Sequence, residues 1–458
     1  MKLIYYILLF LFFNLQSAAQ DVQIKLHLQN FDDKELYLAV YQGDQFKMID
    51  TFNLVKFKAK LTYDQPLNEG VYVIAGDNKA KYFDFIIADD QIFNLRTHKD
   101  AIIDSLQIKG ASQSEAFVRY QKYSNLKNKQ YQLAKKMANI LNGPKQLEAV
   151  KEQNQIQEDL LRYRMNYVLK NPDIFLGKLY NSMIEITIPE ELKGLPQKRY
   201  DYYLDHFWDN VDLEDERLLR SPVLASKTNN YFDKVSVQHS EAINASIDKL
   251  LSRKIHPEIQ KYFLIKLSLK YEHPNVMGLD ACFVHLSDNY LKSDEILSES
   301  VRNALIERAN VLKPLLIGSK APEMLLIDTT GNFISNYNLD NKYTLLVFWA
   351  HDCDLCKKEL RLLNAIGKNN TFDMGIYAIE TTNNYDAWKN YIIEKDYQWT
   401  HVNGTKSMTN DFHTLYNIYT TPTIYILNQK KEIIAKQIGV KNITMFLQNY
   451  EKSLKNSN

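Results

Sequence analysis

The spacing of hydrophobic and polar residues changes twice along this chain. From residue 21 to about 108 the apolar positions alternate. Val22, Ile24, Leu26 and Leu28 are separated by polar residues, a period of two that predicts a half-buried strand. Leu36 to Tyr41, Lys47 to Phe52, Phe57 to Leu61, Val71 to Ala75, Tyr82 to Ile87 and Ile92 to Leu95 are further strand candidates. Turns such as Gln42-Gly43-Asp44 and Gly76-Asp77-Asn78 divide them, and short strands at this spacing predict an antiparallel sandwich or barrel. Ser112-x-x-Glu115 then has the form of a capping box opening a helix. Beyond it the period becomes helical. Leu133, Met137, Ile140 and Leu141 share a face, and Gly143-Pro144 ends that helix. Ile156, Leu160, Leu161, Tyr163 and Val168 mark a second helix, stopped by Asn171-Pro172. Such faces continue to about Leu312, with breaks at Pro189, Pro222 and Pro274 and no repeat of fixed period.

From residue 316 the pattern is mixed. Leu325 to Asp328 and Phe333 to Ser335 read as a hairpin across Thr330-Gly331-Asn332. Thr344 to Trp349 is almost wholly apolar, as a central strand covered on both faces should be. Gly375 to Ile379 and Thr423 to Leu427 are further strands, and Glu432 to Ala435 pairs with the latter across Asn428-Gln429-Lys430. Tyr385 to Glu394 and Thr444 to Leu454 read as helices. The expected fold is multidomain: an N-terminal antiparallel β domain (20–110), an all-helical middle domain (111–314) and a C-terminal α/β domain (315–458). A length of 458 residues fits about three domains.

Residues 1–19 stand apart. Met1-Lys2, the apolar run Leu3 to Phe13 and the small residues Ser17-Ala18-Ala19 have the order of a cleavable signal peptide. The run is shorter than the ~20 residues a membrane span needs, though an uncleaved anchor is the alternative. No cysteine follows it for lipid attachment. The expectation is an exported protein of the periplasm or cell envelope. A net charge of +1 offers no argument for nucleic acid, and the 30 tyrosines are scattered as packing residues rather than as a binding stripe.

The chemistry concentrates in Cys353-Asp354-Leu355-Cys356, directly after the apolar run ending at Ala350 and before the helical pattern Lys357 to Leu363. A strand delivering two cysteines to the first turn of a helix is the layout of a dithiol redox site. The helix start offers unpaired N–H groups and a partial positive charge, and both favour a thiolate. Only three cysteines occur, and Cys282, among apolar neighbours, reads as a buried thiol. Zinc is the rival reading of the pair, but structural zinc sites use four ligands and no second pair exists. Neither a cofactor site nor a metal site is evident, and the middle-region histidines His206, His239, His256, His273 and His285 are dispersed.

The C-terminal third resembles the thioredoxin-like fold, and within it the exported thiol-disulfide oxidoreductases of the TlpA and ResA type. Four segments carry the resemblance: Ile317-Gly318-x-x-Ala321-Pro322, Val347 to Glu359, Thr421-Pro422-Thr423, and the hairpin Ile424 to Ile434. The first two-thirds more weakly resemble the β-rich and helical extensions of Bacteroidetes proteins, with Gly110 at the usual junction. The resemblance implies that Pro422 is cis and faces the sulfurs. It also implies that Thr421 offers backbone hydrogen bonds to a client peptide.

Cys353, first and at the helix start, is the expected nucleophile, and Cys356 the resolving thiol. Glu359, one turn on, is the expected proton handler, and the ResA-like proteins carry a glutamate there. A solvated helix carboxylate beside Lys357 and Lys358 is the plain alternative. Thioredoxin keeps a buried aspartate on the strand before the site. Here that place is Val347, which leaves Glu359 without an obvious competitor. Trp349 is expected beside the site, as a client contact or as core. Asp354 opposes a Cys353 thiolate, partly offset by His351, Lys357 and Lys358, and so inclines the pair towards a reductase. Expected partners are protein disulfide or dithiol clients and an upstream electron donor. Two other classes compete: a scaffold whose pair turns over poorly, and a peroxidase. The peroxidase lacks its Pro-x-x-x-Thr-x-x-Cys setting.

Overall fold

The computed structural model describes residues 22–292, 295–368 and 371–456. The segment 1–19, expected from the sequence to be a signal peptide, lies outside them. Among the described residues, no helix is long and apolar enough to cross a membrane.

The chain divides into two compact units, residues 22–235 with 252–259, and 236–251 with 260–456. In the first, β1 (Val22–Gln29), β2 (Leu36–Gln42), β3 (Gln45–Phe52), β4 (Lys58–Tyr63), β5 (Gly70–Ala75), β6 (Lys81–Ile87), β7 (Ile92–His98), a single turn α1 (Ile102–Ser105) and β8 (Gln107–Lys109) follow in order. They form two four-stranded sheets, β4-β1-β7-β8 and β3-β2-β5-β6. The alternation of β1 is the cause: Val22, Ile24, Leu26 and Leu28 all point into one core with Leu38, Ile74 and Phe85 of the other sheet. One pairing departs from the antiparallel expectation. β1 and β7 run parallel: β4 pairs with the other side of β1, and β2, β3, β5 and β6 build the second sheet before the chain returns as β7.

α2 (Ser112–Ile140) and α3 (Pro144–Lys170) form a long helical pair, and α4 (Phe175–Ser182), α5 (Pro196–His206) and α6 (Val223–Asn230) complete the unit. The Ser112 capping box does not form. Ala111 is the N-cap, the N–H and hydroxyl of Ser112 donate to Asp90, and Glu115 reaches back to the Gly110 N–H at 3.0 Å. Gly143 does end the turn, at φ 64°, a left-handed conformation that suits glycine. The predicted apolar face of α2 is wrong in its inward residues. Leu133, Met137 and Ile140 are exposed, while the small Ala134 and Ala138 are buried.

The second unit holds α7 (Ser240–Leu251), most of α8 (Pro257–Glu272), α9 (Asp280–Leu286), α10 (Glu299–Leu312) and the whole C-terminal α/β region. The division of the chain therefore cuts through the helical region rather than falling at residue 314. The α/β region comprises β9 (Leu325–Asp328), β10 (Phe333–Ser335), β11 (Tyr343–Trp349), α11 (Asp354–Lys368), β12 (Met374–Glu380), α12 (Tyr385–Lys395), β13 (Thr400–Ser407), α13 (Phe412–Tyr416), β14 (Thr423–Asn428), β15 (Ile433–Lys436) and α14 (Val440–Asn456). Its sheet has the order β10-β9-β13-β12-β11-β14-β15, with β11, β12 and β13 parallel and β14 antiparallel to β11. β11 is buried throughout because both faces are covered. Leu345, Val347 and Trp349 meet Cys356, Leu360, Trp388 and Leu447 on one face. Leu346 and Phe348 meet Phe412 and Tyr416 on the other. The opening segment is stitched to the closing hairpin: Gly318 N–H donates to Ile433 O at 2.8 Å and Ile433 N–H to Ser319 O at 2.9 Å.

Candidate active site

β11 ends at Trp349, and α11 begins at Asp354 after four intervening residues. Between them the Cys353 N–H donates to the Ala350 carbonyl at 3.2 Å, a turn that leaves Cys353 at the helix start. Cys353 and Cys356 form a disulfide, with Cα atoms 5.2 Å apart. The Cys356 N–H, one of the helix's orphan donors, points at Cys353 Sγ at 3.1 Å. Cys353 is half-buried and Cys356 fully buried, the order expected of attacking and resolving thiols. Thr421–Pro422 is a cis peptide, and the Thr421 carbonyl oxygen lies 3.9 Å from Cys353 Sγ. A groove of about 660 Å³ runs past this point, with Leu355, Glu359, Tyr419, Thr421, Pro422 and His273 in its walls.

Glu359 sits in that groove, half-buried, and its Oε2 accepts from the Val440 N–H at the start of α14 at 3.3 Å. An anion there is favoured by the helix end. Trp349 is fully buried, with the Tyr391 ring tilted against it at 5.5 Å between centroids, so it offers no surface to a client and belongs to the core around Cys356. The Asp354 side chain is fully exposed, 3.7 Å from the Lys357 ammonium. Water screens its charge, which weakens its opposition to a thiolate. Cys282 is fully buried, with Sγ 3.7 Å from the Ser240 carbonyl, and burial pushes its thiol up to about 12.

Glu359 does have a competitor, on the neighbouring strand. Glu380 closes β12 opposite Trp349 and is fully buried. Its Oε1 accepts from the Thr382 hydroxyl at 2.6 Å and lies 3.1 Å from His351 Nδ1. The signal for it was present: an acidic residue ending the otherwise apolar run Gly375 to Ile379, where period two turns it towards the helix that carries the cysteines.

Comparisons with known proteins bear on the same region. Residues 317–436 match the AhpC/TSA family, and residues 149–311 match a domain of unknown function, DUF5106. A thioredoxin-like protein of Haemophilus influenzae is 33% identical over 110 residues, 24% of this chain and 63% of the relative. The thiol-disulfide oxidoreductase ResA of Bacillus cereus is 26% identical over 126 residues, 27% of this chain and 70% of the relative. A crystal structure of a domain of a possible thiol-disulfide isomerase from Cytophaga hutchinsonii is 40% identical, covering 31% of this chain and 98% of that one, with a TM-score of 0.29. The chain thus spans less than two thirds of the Haemophilus relative's length. The C-terminal domain is a thioredoxin-like domain of the AhpC/TSA family. The relatives that match this region include one named as a thiol-disulfide oxidoreductase.

Proposed function

We propose that this protein is an exported thiol-disulfide oxidoreductase that exchanges its Cys353–Cys356 pair with protein disulfides, in the reducing direction. The observation that carries the reading is the asymmetry of the pair: Cys353 half-exposed under a helix N–H, Cys356 fully buried behind it. The Cys353 thiolate attacks a client disulfide, the client S–S bond breaks, and one client sulfur leaves as a thiol after taking a proton. The Cys356 sulfur, having lost its proton, then attacks Cys353 Sγ. The internal disulfide forms and the second client sulfur is released. Two electrons pass to the client, and an upstream dithiol returns them. Thr421 and Pro422 would hold the client as an extended segment in the groove. Glu359 faces that groove and is placed to pass a proton there, though its bond to Val440 competes. Export rests on residues 1–19, and the reducing direction on Asp354, whose exposure limits its weight.

The test is a redox titration of the mature protein with alkylation and mass readout at each cysteine. A single two-electron transition confined to Cys353 and Cys356, at a reducing potential, is expected. Cys356→Ser should then accumulate mixed disulfides with clients. A pair that never opens under strong dithiol reductant would overturn the reading.

A further inference from the structure

Glu380 is an acidic side chain in the interior of the C-terminal domain. It is fully buried beside Ile376 and Ala378 on the face of β12 that packs against α11 and α12. Four donors converge on one of its oxygens. Oε1 lies 2.6 Å from the Thr382 hydroxyl, 3.2 Å from the Thr382 N–H, 3.4 Å from the His351 N–H and 3.1 Å from His351 Nδ1. Oε2 is buried and has no partner. Burying a carboxylate with one bare oxygen costs stability, and an apolar residue in line with Ile376 and Ala378 would fill the place without that cost. The ring it holds belongs to the active-site turn, since His351 directly follows the Ala350 carbonyl that receives the Cys353 N–H. The His351 side chain is largely buried, at 14% exposure.

We propose that Glu380 and His351 act as one unit of the active site: Glu380 orients the His351 ring at the turn, the ring takes up a proton when the disulfide opens, and the resulting charge stabilises the Cys353 thiolate. The proposal rests on the exchange reading and deepens it. His351 supplies the charge, and Glu380 is a positioning residue that acts through it. When a donor dithiol reduces the site, the donor's two sulfurs join in a disulfide and release two electrons and two protons. The electrons break the Cys353–Cys356 bond. One proton goes to the Cys356 sulfur and the other rests on His351, so the Cys353 thiolate is formed with its counter-charge in place.

The other ionisable groups on the surrounding elements do not substitute for this pair. Asp352 and Asp354 on the turn and helix are exposed, and Lys357 faces Asp354 at 3.7 Å. On β13, His401 is brought down to about 4 by burial, and on α12, Tyr391 is pushed up to about 12 by burial, so both stay neutral near pH 7.

The experiment measures iodoacetamide alkylation of Cys353 in the reduced full chain as a function of pH, with folding checked by thermal unfolding. His351→Asn should move the alkylation midpoint to higher pH and slow the reaction at pH 6 about 10-fold, the effect of losing one nearby opposite charge. Glu380→Gln should act in the same direction. The double variant should be no worse than His351→Asn alone, because the two act as a unit. An unchanged profile in folded His351→Asn overturns the proposal, as does strict additivity in the double variant. Should Glu380→Gln not fold, His351→Asn decides by itself, since it leaves the buried strand intact. The readout needs neither client nor turnover. Failure of the exchange reading would appear in the redox titration and leave this profile measurable.

Discussion

Burial sorts the reactive side chains of the second unit more sharply than charge does. Cys282 and Cys356 are both fully buried, yet Cys356 borders a half-exposed partner sulfur while Cys282 faces only the Ser240 carbonyl. The same factor governs His401. Its Nε2 bonds the Tyr397 carbonyl at 3.1 Å, its Nδ1 has no partner, and burial lowers it from 6.5 to about 4. The sign of the consequence follows from linkage. The unfolded chain takes up a proton on this ring near pH 6.5 and the folded chain only near pH 4, so acid favours unfolding over that window. The difference of about 2.5 pH units is worth ~3 kcal/mol at full protonation. Denaturant unfolding at pH 7 and pH 4 should show this loss, and His401→Gln should flatten it. A His401→Gln variant with the wild-type pH slope would assign the loss to other groups.

At the level of elements, β13 shows what packing demands of a strand that sequence reasoning missed. Gly404 on β13 lies so close to Phe412 of α13 that a Cβ there would stand 2.7 Å from the ring. Gly404→Val should therefore cost ~1–3 kcal/mol through overpacking, read as a lower denaturant midpoint with an unchanged slope. A midpoint equal to wild type would mean that α13 moves away freely. β13 reads Thr-His-Val-Asn-Gly-Thr-Lys-Ser, with only Val402 strongly apolar, so neither alternation nor an apolar run announces it. Its burial is achieved by polar residues that find partners: Asn403 donates to Thr382 O at 3.3 Å and accepts from the Thr405 N–H at 2.9 Å. Strands such as β1, β11, β12 and β14 were legible because their apolar residues alone specify the buried face. The positions of the cysteine turn at the helix start and of the Thr421–Pro422 loop beside it follow from local motifs. The acidic end of β12 was visible in the sequence, but the pairing of Glu380 with His351 was not, because the two are 29 residues apart and meet only through the β11–β12 register. The parallel β1–β7 pair escaped for a similar reason, since local spacing says nothing of which strands become neighbours.

At the largest scale, the second unit fastens helices of the middle region onto the thioredoxin-like domain. Arg308 of α10 bonds Glu272 of α8 at 2.8 Å and Asn417, just past α13, at 2.5 Å. This brings His273 into the wall of the groove that passes the disulfide. A buried ion pair makes the second attachment. Lys436 of β15 donates to Asp280 of α9 and, at 2.8 Å, to the Leu315 carbonyl. Burial pulls the Lys436 ammonium down and Asp280 pushes it back up. Both residues are below a tenth exposed, and Asp280 Oδ1 has no partner. Such a pair specifies how two elements meet more than it stabilises them, because desolvation offsets most of the attraction. Removing one member strands the other charge. Lys436→Met alone should cost ~3–5 kcal/mol, measured by urea unfolding, and adding Asp280→Leu should recover most of that loss. If the double variant is no more stable than Lys436→Met, the pair contributes net attraction and the desolvation argument fails. If it recovers stability but changes which disulfide substrates react with the Cys353–Cys356 pair, the pair's value lies in the placement of α8 and α9 beside the groove. That result would give the middle helices a part in choosing the client.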